Sequence, residues 1–169
     1  MTLILSGTDG LSDIDGSVST PAIRGTDANT GVYFPGVDRL GFSTGGVQRG
    51  EFDASGNFLM NSGYGSVATA YGCRAWVNFN GTGTVAIRAS GNVTSITDNG
   101  TGDYTVNFTT ALADANYSVV VTSDTSLSVN RSVAIWSGTN QTASLVRIGT
   151  LATAGSAFDA NYVSVSVFR

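Results

Sequence analysis

The chain has 169 residues, 22 of them glycine, a charged fraction of 12% and a formal net charge of -4. All 8 basic residues are arginine, too few and too scattered for the basic footprint that phosphate binding needs, so nucleic acid is excluded as an expected partner. With no histidine and the single cysteine Cys73, neither a Ser-His-Asp or Cys-His nucleophile pair nor a disulfide framework or multi-cysteine zinc site is expected.

Ser, Thr and Asn take the place of charge, a mix that suits turns and exposed β-surface and suits long helices poorly. The expected class is all-β. No apolar run reaches membrane-spanning length, and the apolar stretch at Leu3-Ile4-Leu5 is too short for a signal h-region. We therefore expect a soluble chain, made in a cytoplasm, without membrane insertion.

Taken in order, residues 1–24 open with one short apolar run and then hold few large apolar side chains; they read as an N-terminal docking segment. Residues 25–62 hold very short strands, expected at 31–34, 38–43, 47–53 and 57–61, with corners of Gly, Asn and Asp. Alternation puts Val32 with Phe34 and Leu40 with Phe42 on common faces, and sets Val47, Arg49 and Glu51 opposite Gln48, Gly50 and Phe52. Such short pieces are marginal alone in water. Three copies around a threefold axis would bury their apolar faces, so a trimeric β-prism stalk is expected, with Val32, Phe34, Phe42 and Phe52 at the interface. Residues 63–72, rich in Gly, Ser and Ala, form a connection.

From Cys73 the strands lengthen and alternate cleanly. They are expected at 73–79, 84–89, 92–97, 104–109, 117–123, 131–137, 144–149 and 162–168. Regular spacing with Gly/Asn/Asp turns predicts an antiparallel β-sandwich, jelly-roll-like, over residues 73–169. Ala75, Val77 and Phe79, then Tyr104, Val106 and Phe108, then Val163, Val165 and Val167 are expected to face the core, with Val133 and Ile135 from a further strand.

The run Gly25-Thr26-Asp27-Ala28-Asn29-Thr30-Gly31-Val32-Tyr33-Phe34-Pro35-Gly36, followed by Leu40-Gly41-Phe42-Ser43-Thr44-Gly45-Gly46 and Ser55-Gly56-Asn57, resembles a segment of the tail fibres of tailed bacteriophages. Cys73-Arg74-Ala75-Trp76-Val77-Asn78-Phe79-Asn80-Gly81-Thr82-Gly83, with the stretch Tyr104-Thr105-Val106-Asn107-Phe108, is similar to a C-terminal module of such fibres. Arg49-Gly50-Glu51-Phe52 departs from the alternating charged and aliphatic residues of that family. The resemblance implies a homotrimeric fibre of the virion that contacts a host-surface glycan or protein, with its N-terminus on a baseplate or tail-tip protein. A capsid or neck decoration fibre and a polysaccharide-degrading tailspike are the alternatives.

If the strands alternate in direction from the stalk, the loops at 80–83, 98–103, 124–130 and 151–161 share the far end. They carry the candidate receptor contacts Asp98, Asp103, Asp124, Asn130, Asp159 and Asn161. Clustered carboxylates can hold Ca²⁺, but no EF-hand spacing is present, so turn formation is the expectation and no metal or cofactor is assigned. Trp76 and Trp136 each fall opposite a core position; a subunit interface is preferred for both over sugar stacking. Glu51 is the only glutamate, no Gly-x-x-x-x-Gly-Lys loop occurs, and the expected mechanism is non-catalytic attachment without catalytic residues.

Overall fold

The structure is a computed structural model, which describes residues 4–6, 10–12, 14–124, 131–135, 141–152 and 155–169. Among these residues the regular elements are β-strands, every pairing between them antiparallel. The chain divides into two units, Met1–Ala70 and Tyr71–Arg169.

In the first unit, β1 (Ile4–Ser6) pairs with β2 (Gly10–Ser12). A six-stranded meander follows: β3 (Ile23–Arg24), β4 (Gly31–Tyr33), β5 (Leu40–Thr44), β6 (Val47–Phe52), β7 (Phe58–Met60) and β8 (Ala68–Thr69), each hydrogen-bonded to the next. The sheet thus takes its first strand from the expected docking segment and its last from the expected connection. Its turns follow local chemistry. Gly45 and Gly46, both at positive φ, close the β5–β6 hairpin as a two-residue turn of this kind requires. Asp53 Oδ1 accepts from the backbone N–H of Ser55 and of Asn57, which closes β6–β7.

Alternation holds across most of this sheet. The rows Val32–Phe42–Gly50–Met60 and Leu40–Phe52–Phe58 lie on one face; the row Tyr33–Gly41–Glu51–Leu59 lies on the other. It breaks at Arg49, where the register shifts between the Phe42–Gly50 and Ser43–Gln48 pairs. The extra residue is a bulge. It turns Gln48 to the face of Glu51, contrary to the expected opposition, and the Gln48 amide donates to Glu51 Oε2. Glu51 is 1% exposed and also accepts from Arg39 Nε, so the buried carboxylate has its charge partner.

The second unit holds β9 (Cys73–Asn80), β10 (Ala86–Gly91), β11 (Val93–Gly100), β12 (Asp103–Phe108), β13 (Ser118–Ser123), β14 (Arg131–Ile135), β15 (Gln141–Thr142), β16 (Leu145–Ala152) and β17 (Val163–Phe168). One sheet has the order β10-β9-β17-β13, the other β11-β12-β16-β14, with β15 also on β16. In a jelly roll most consecutive strands lie in opposite sheets; here β9–β10 and β11–β12 are same-sheet neighbours, so the jelly-roll order is not adopted. The reason is local: the links between these strands are short enough to close hairpins directly.

Side chains from both sheets meet in one core. Ala75, Val77 and Phe79 of β9 and Val163, Val165 and Val167 of β17 pack with Tyr104, Val106 and Phe108 of β12 and Val146 and Ile148 of β16. The Phe79 and Tyr104 rings meet edge to face at 5.1 Å, and Phe108 meets Tyr117 at 5.8 Å. Each fully buried aliphatic side chain of this set stabilises the unit by roughly 1.5–3 kcal/mol relative to exposure. The expected core set fails at Ile135, which is 39% exposed on edge strand β14.

Candidate functional site

Of the loops expected at one end, those at 80–83, 98–103 and 151–161 meet through their described residues, held by hydrogen bonds far apart in sequence, while 125–130 lie outside the described residues. Gly81 N–H donates to the Ala160 carbonyl (2.8 Å) and Thr150 N–H to the Gly102 carbonyl (2.8 Å). Asp159 Oδ1 accepts from Gly102 N–H at 2.8 Å and lies 2.9 Å from the Tyr104 hydroxyl, which is also 3.0 Å from the Gly81 carbonyl oxygen. Gly102 has φ +65, and a Cβ there would sit 2.6 Å from the Thr150 carbonyl oxygen, so no side chain fits the turn. The opposite end is tied likewise: Asn92 bonds to Thr110 N–H and O, and the Gln141 amide donates to the carbonyls of Ala115 and Tyr117.

The candidate contact residues of the far end are engaged inside the chain. Asp98 Oδ1 accepts from Gly100 N–H at 2.9 Å. Asp103 takes two bonds from the Arg147 guanidinium, one of them Nε to Oδ1 at 2.7 Å. That hydrogen bond, against the opposing effect of burial, holds the Asp103 carboxyl below its ordinary range. Asp124 pairs through its backbone with Tyr162, whose N–H also points at Asp124 Oδ1 at 3.3 Å. Asn161 Oδ1 accepts from Arg88 Nη2 at 2.9 Å, and the Arg88 guanidinium stacks 4.0 Å from the centre of the Tyr162 ring. Asn130 lies outside the described residues. The four placed carboxylates therefore serve first as turn and strand fasteners, a use that acceptor-rich Asp suits wherever backbone N–H groups need partners. Among the described residues no three His, Cys, Asp or Glu side chains come together as a metal site.

Comparison with protein-family models, curated proteins and solved structures finds no match.

The expected interface residues divide. Val32, Phe42 and Phe52 share one face of the first unit's sheet, where Phe52 is 45% exposed. Ile23, Phe58 and Met60, absent from the expected set, extend that face and are also exposed. The period-2 pattern of 58–60 was signal enough to include the latter two. Phe34 lies beyond β4 and lines a cleft with Asp15, Pro35 and Gln48. Trp76 does alternate with buried Val77 and faces outward, 43% exposed, but its neighbours across the sheet are Ser166 and Gly91. Trp136 lies outside the described residues.

The buried phenols set a pH dependence. Burial, with the hydrogen bond and charge of Asp159 added, raises the Tyr104 phenol. Burial pushes the Tyr117 phenol up to about 12. Both are raised above the unfolded value of 10.0, so their stabilisation is fully present below it and is lost as pH rises through the folded values. Thermal unfolding followed by circular dichroism should show a melting temperature falling steeply above about pH 10, with tyrosinate absorbance rising at the transition. A melting temperature unchanged up to pH 12 contradicts this account.

Proposed function

We propose that the chain is a homotrimeric tail fibre of a tailed bacteriophage, a structural protein of the virion that attaches the particle to its host without catalysis. The N-terminal unit forms the trimeric stalk, and its start docks on a baseplate or tail-tip protein. The C-terminal unit is a β-sandwich tip that meets a glycan or protein of the host surface. The fibre is made in the host cytoplasm and works on the particle. Three weak sites on one rigid body raise attachment strength through effective concentration rather than through any one tight contact.

One observation carries this reading: the apolar face that the first unit leaves open. Phe52 and Phe58 touch at 5.3 Å, yet both remain more than two-fifths exposed, as do Ile23 and Met60. Soluble monomers rarely keep a continuous patch of this kind open. The opposite face of the same sheet buries Tyr33 and Glu51, so the exposure is one-sided. A threefold arrangement covers such a face and leaves few strand edges.

Light scattering tests it. The purified protein should have three times the 17.3 kDa mass of the chain. Phe52→Asp combined with Phe58→Asp should shift it to the monomer, because each puts a charge into a dry contact. A wild-type monomer at micromolar concentration ends the stalk reading.

A further inference from the structure

The outer face of the sheet β10-β9-β17-β13 differs from that of the other sheet of the second unit. Its strands turn Ala75, Val77, Val163 and Val165 to the core, so Trp76, Asn78, Ser164 and Ser166 face away. Two cross-strand rows result: Gly91–Trp76–Ser166–Val120 and Ala89–Asn78–Ser164–Thr122. The indole comes close over Gly91, where a Cβ would stand 2.4 Å from its Nε1. Beyond the second row stands Tyr162, 52% exposed under the Arg88 guanidinium. Trp76 pairs with Ser166, four positions along from Tyr162, or about 14 Å at ~3.4 Å per strand residue.

Hydrogen-bonding capacity and charge separate this face from its counterpart. On the outer side of the other sheet, the polar groups satisfy one another. Asn107 donates to Ser95 Oγ and Thr97 Oγ1, Asn99 donates to Thr105 Oγ1, and Arg147 is paired with Asp103. On the Trp76 face Asn78 donates to Ser164 Oγ at 2.9 Å, but among the described residues the indole N–H and the hydroxyls of Ser166 and Thr122 have no such partner. Arg74 and Arg88 form no ion pair there, whereas Arg39, Arg147 and Arg169 do. At the corner, the carboxylate of Asp124 is turned to the Tyr162 N–H.

We infer that this face binds a linear acidic polysaccharide. Trp76 offers a flat apolar ring against which a sugar ring stacks, and the Arg88 guanidinium, held over the Tyr162 ring, offers a second flat surface. The indole N–H and the hydroxyls of Ser166 and Thr122 match sugar hydroxyls, and the guanidiniums of Arg74 and of Arg88, which has donors beyond its one bond to Asn161, pair with uronate carboxylates. The spacing of the two platforms suits a chain of sugars rather than a single ring. This deepens the attachment role, on which it rests for its biological setting, by moving the contact from the far-end loops to a sheet face and naming its ligand class.

The test uses the full chain, with oligogalacturonate as the acidic probe and a malto-oligosaccharide as the neutral one, by calorimetry and tryptophan emission. Saturable binding of oligogalacturonate is expected, with a change in emission. Trp76→Ala should weaken it at least about tenfold. Trp76→Phe should retain it within a few-fold, and Arg88→Gln should remove the preference for the acidic probe. Circular dichroism establishes that the variants fold. No saturable binding of oligogalacturonate, or unchanged affinity in Trp76→Ala, overturns the inference. So does dissociation of the assembly in Trp76→Ala, which would make a second copy of the chain the occupant of this face. Light scattering on the same samples separates the two claims. A monomer that binds oligogalacturonate takes down the trimeric fibre and keeps the face, whereas a trimer that binds none does the reverse.

Discussion

Replacing Tyr104 with alanine is expected to lower the stability of the C-terminal unit by about 4 kcal/mol, within the range for truncating a fully buried aromatic. The side chain is 0% exposed and forms the edge contact to Phe79 that joins the two sheets. Its hydroxyl also ties Gly81 to Asp159, two loops from opposite ends of the unit's sequence. The variant therefore opens a cavity and also leaves the Gly81 carbonyl without that bond. Tyr104→Phe separates the two effects: it keeps the ring and should cost about 1–2 kcal/mol, the price of an unsatisfied buried group. Denaturant unfolding followed by near-ultraviolet circular dichroism measures both. A Tyr104→Ala midpoint close to that of wild type would mean that the sheets are not held together through this contact.

Gly41→Val is expected to destabilise the first unit's sheet by about 3 kcal/mol, the upper part of the range for overpacking a closed site. The demand here is for space rather than for an unusual backbone angle. A Cβ on Gly41 would stand 2.6 Å from Tyr33 Cζ and 2.7 Å from Cε1. The Tyr33 ring is 4% exposed and lies across the glycine towards the buried Glu51, so a rigid group would have to move. Tyr33→Ala in the Gly41→Val background should recover a large part of the loss, since it removes the clashing ring; a double-mutant cycle reads the coupling. Additive losses would place the clash elsewhere. Because the chain has two units, each variant needs a probe that reports on its own unit, and a single transition should not be assumed.

Much of the fold was legible because it is written at short range. Side chains in a strand alternate, so the buried set Ala75, Val77, Phe79 and its partner Val163, Val165, Val167 could be read from spacing alone. Asp53-Ala54-Ser55-Gly56-Asn57 closes a turn through its own atoms, and its place between strands followed from its composition. The grouping of loops at the two ends needed only that the strands run antiparallel. Less legible was what those loops do. Asp98, Asp103, Asp124 and Asp159 stood out as candidate receptor contacts; Asp98 closes its own turn on Gly100, and the other three are joined to distant parts of the chain. No local pattern distinguishes an Asp that caps a distant N–H from one that meets a partner.

By itself, the sequence determined the all-β class, the alternation of inward and outward residues, the turn positions and the absence of histidine-based chemistry. The tertiary structure alone decided which strands are neighbours, why β9–β10 and β11–β12 close as hairpins within a sheet, and where the Arg49 bulge turns Gln48 towards Glu51. It also decided that Asp159 would fasten Gly102, 57 residues away, and that Trp76 would stand in the open among serines. The physical reason is range. A dihedral preference or a period-2 stripe is settled by adjacent residues, whereas a pairing partner is selected by whichever distant segment buries the same stripe and satisfies the same polar atoms.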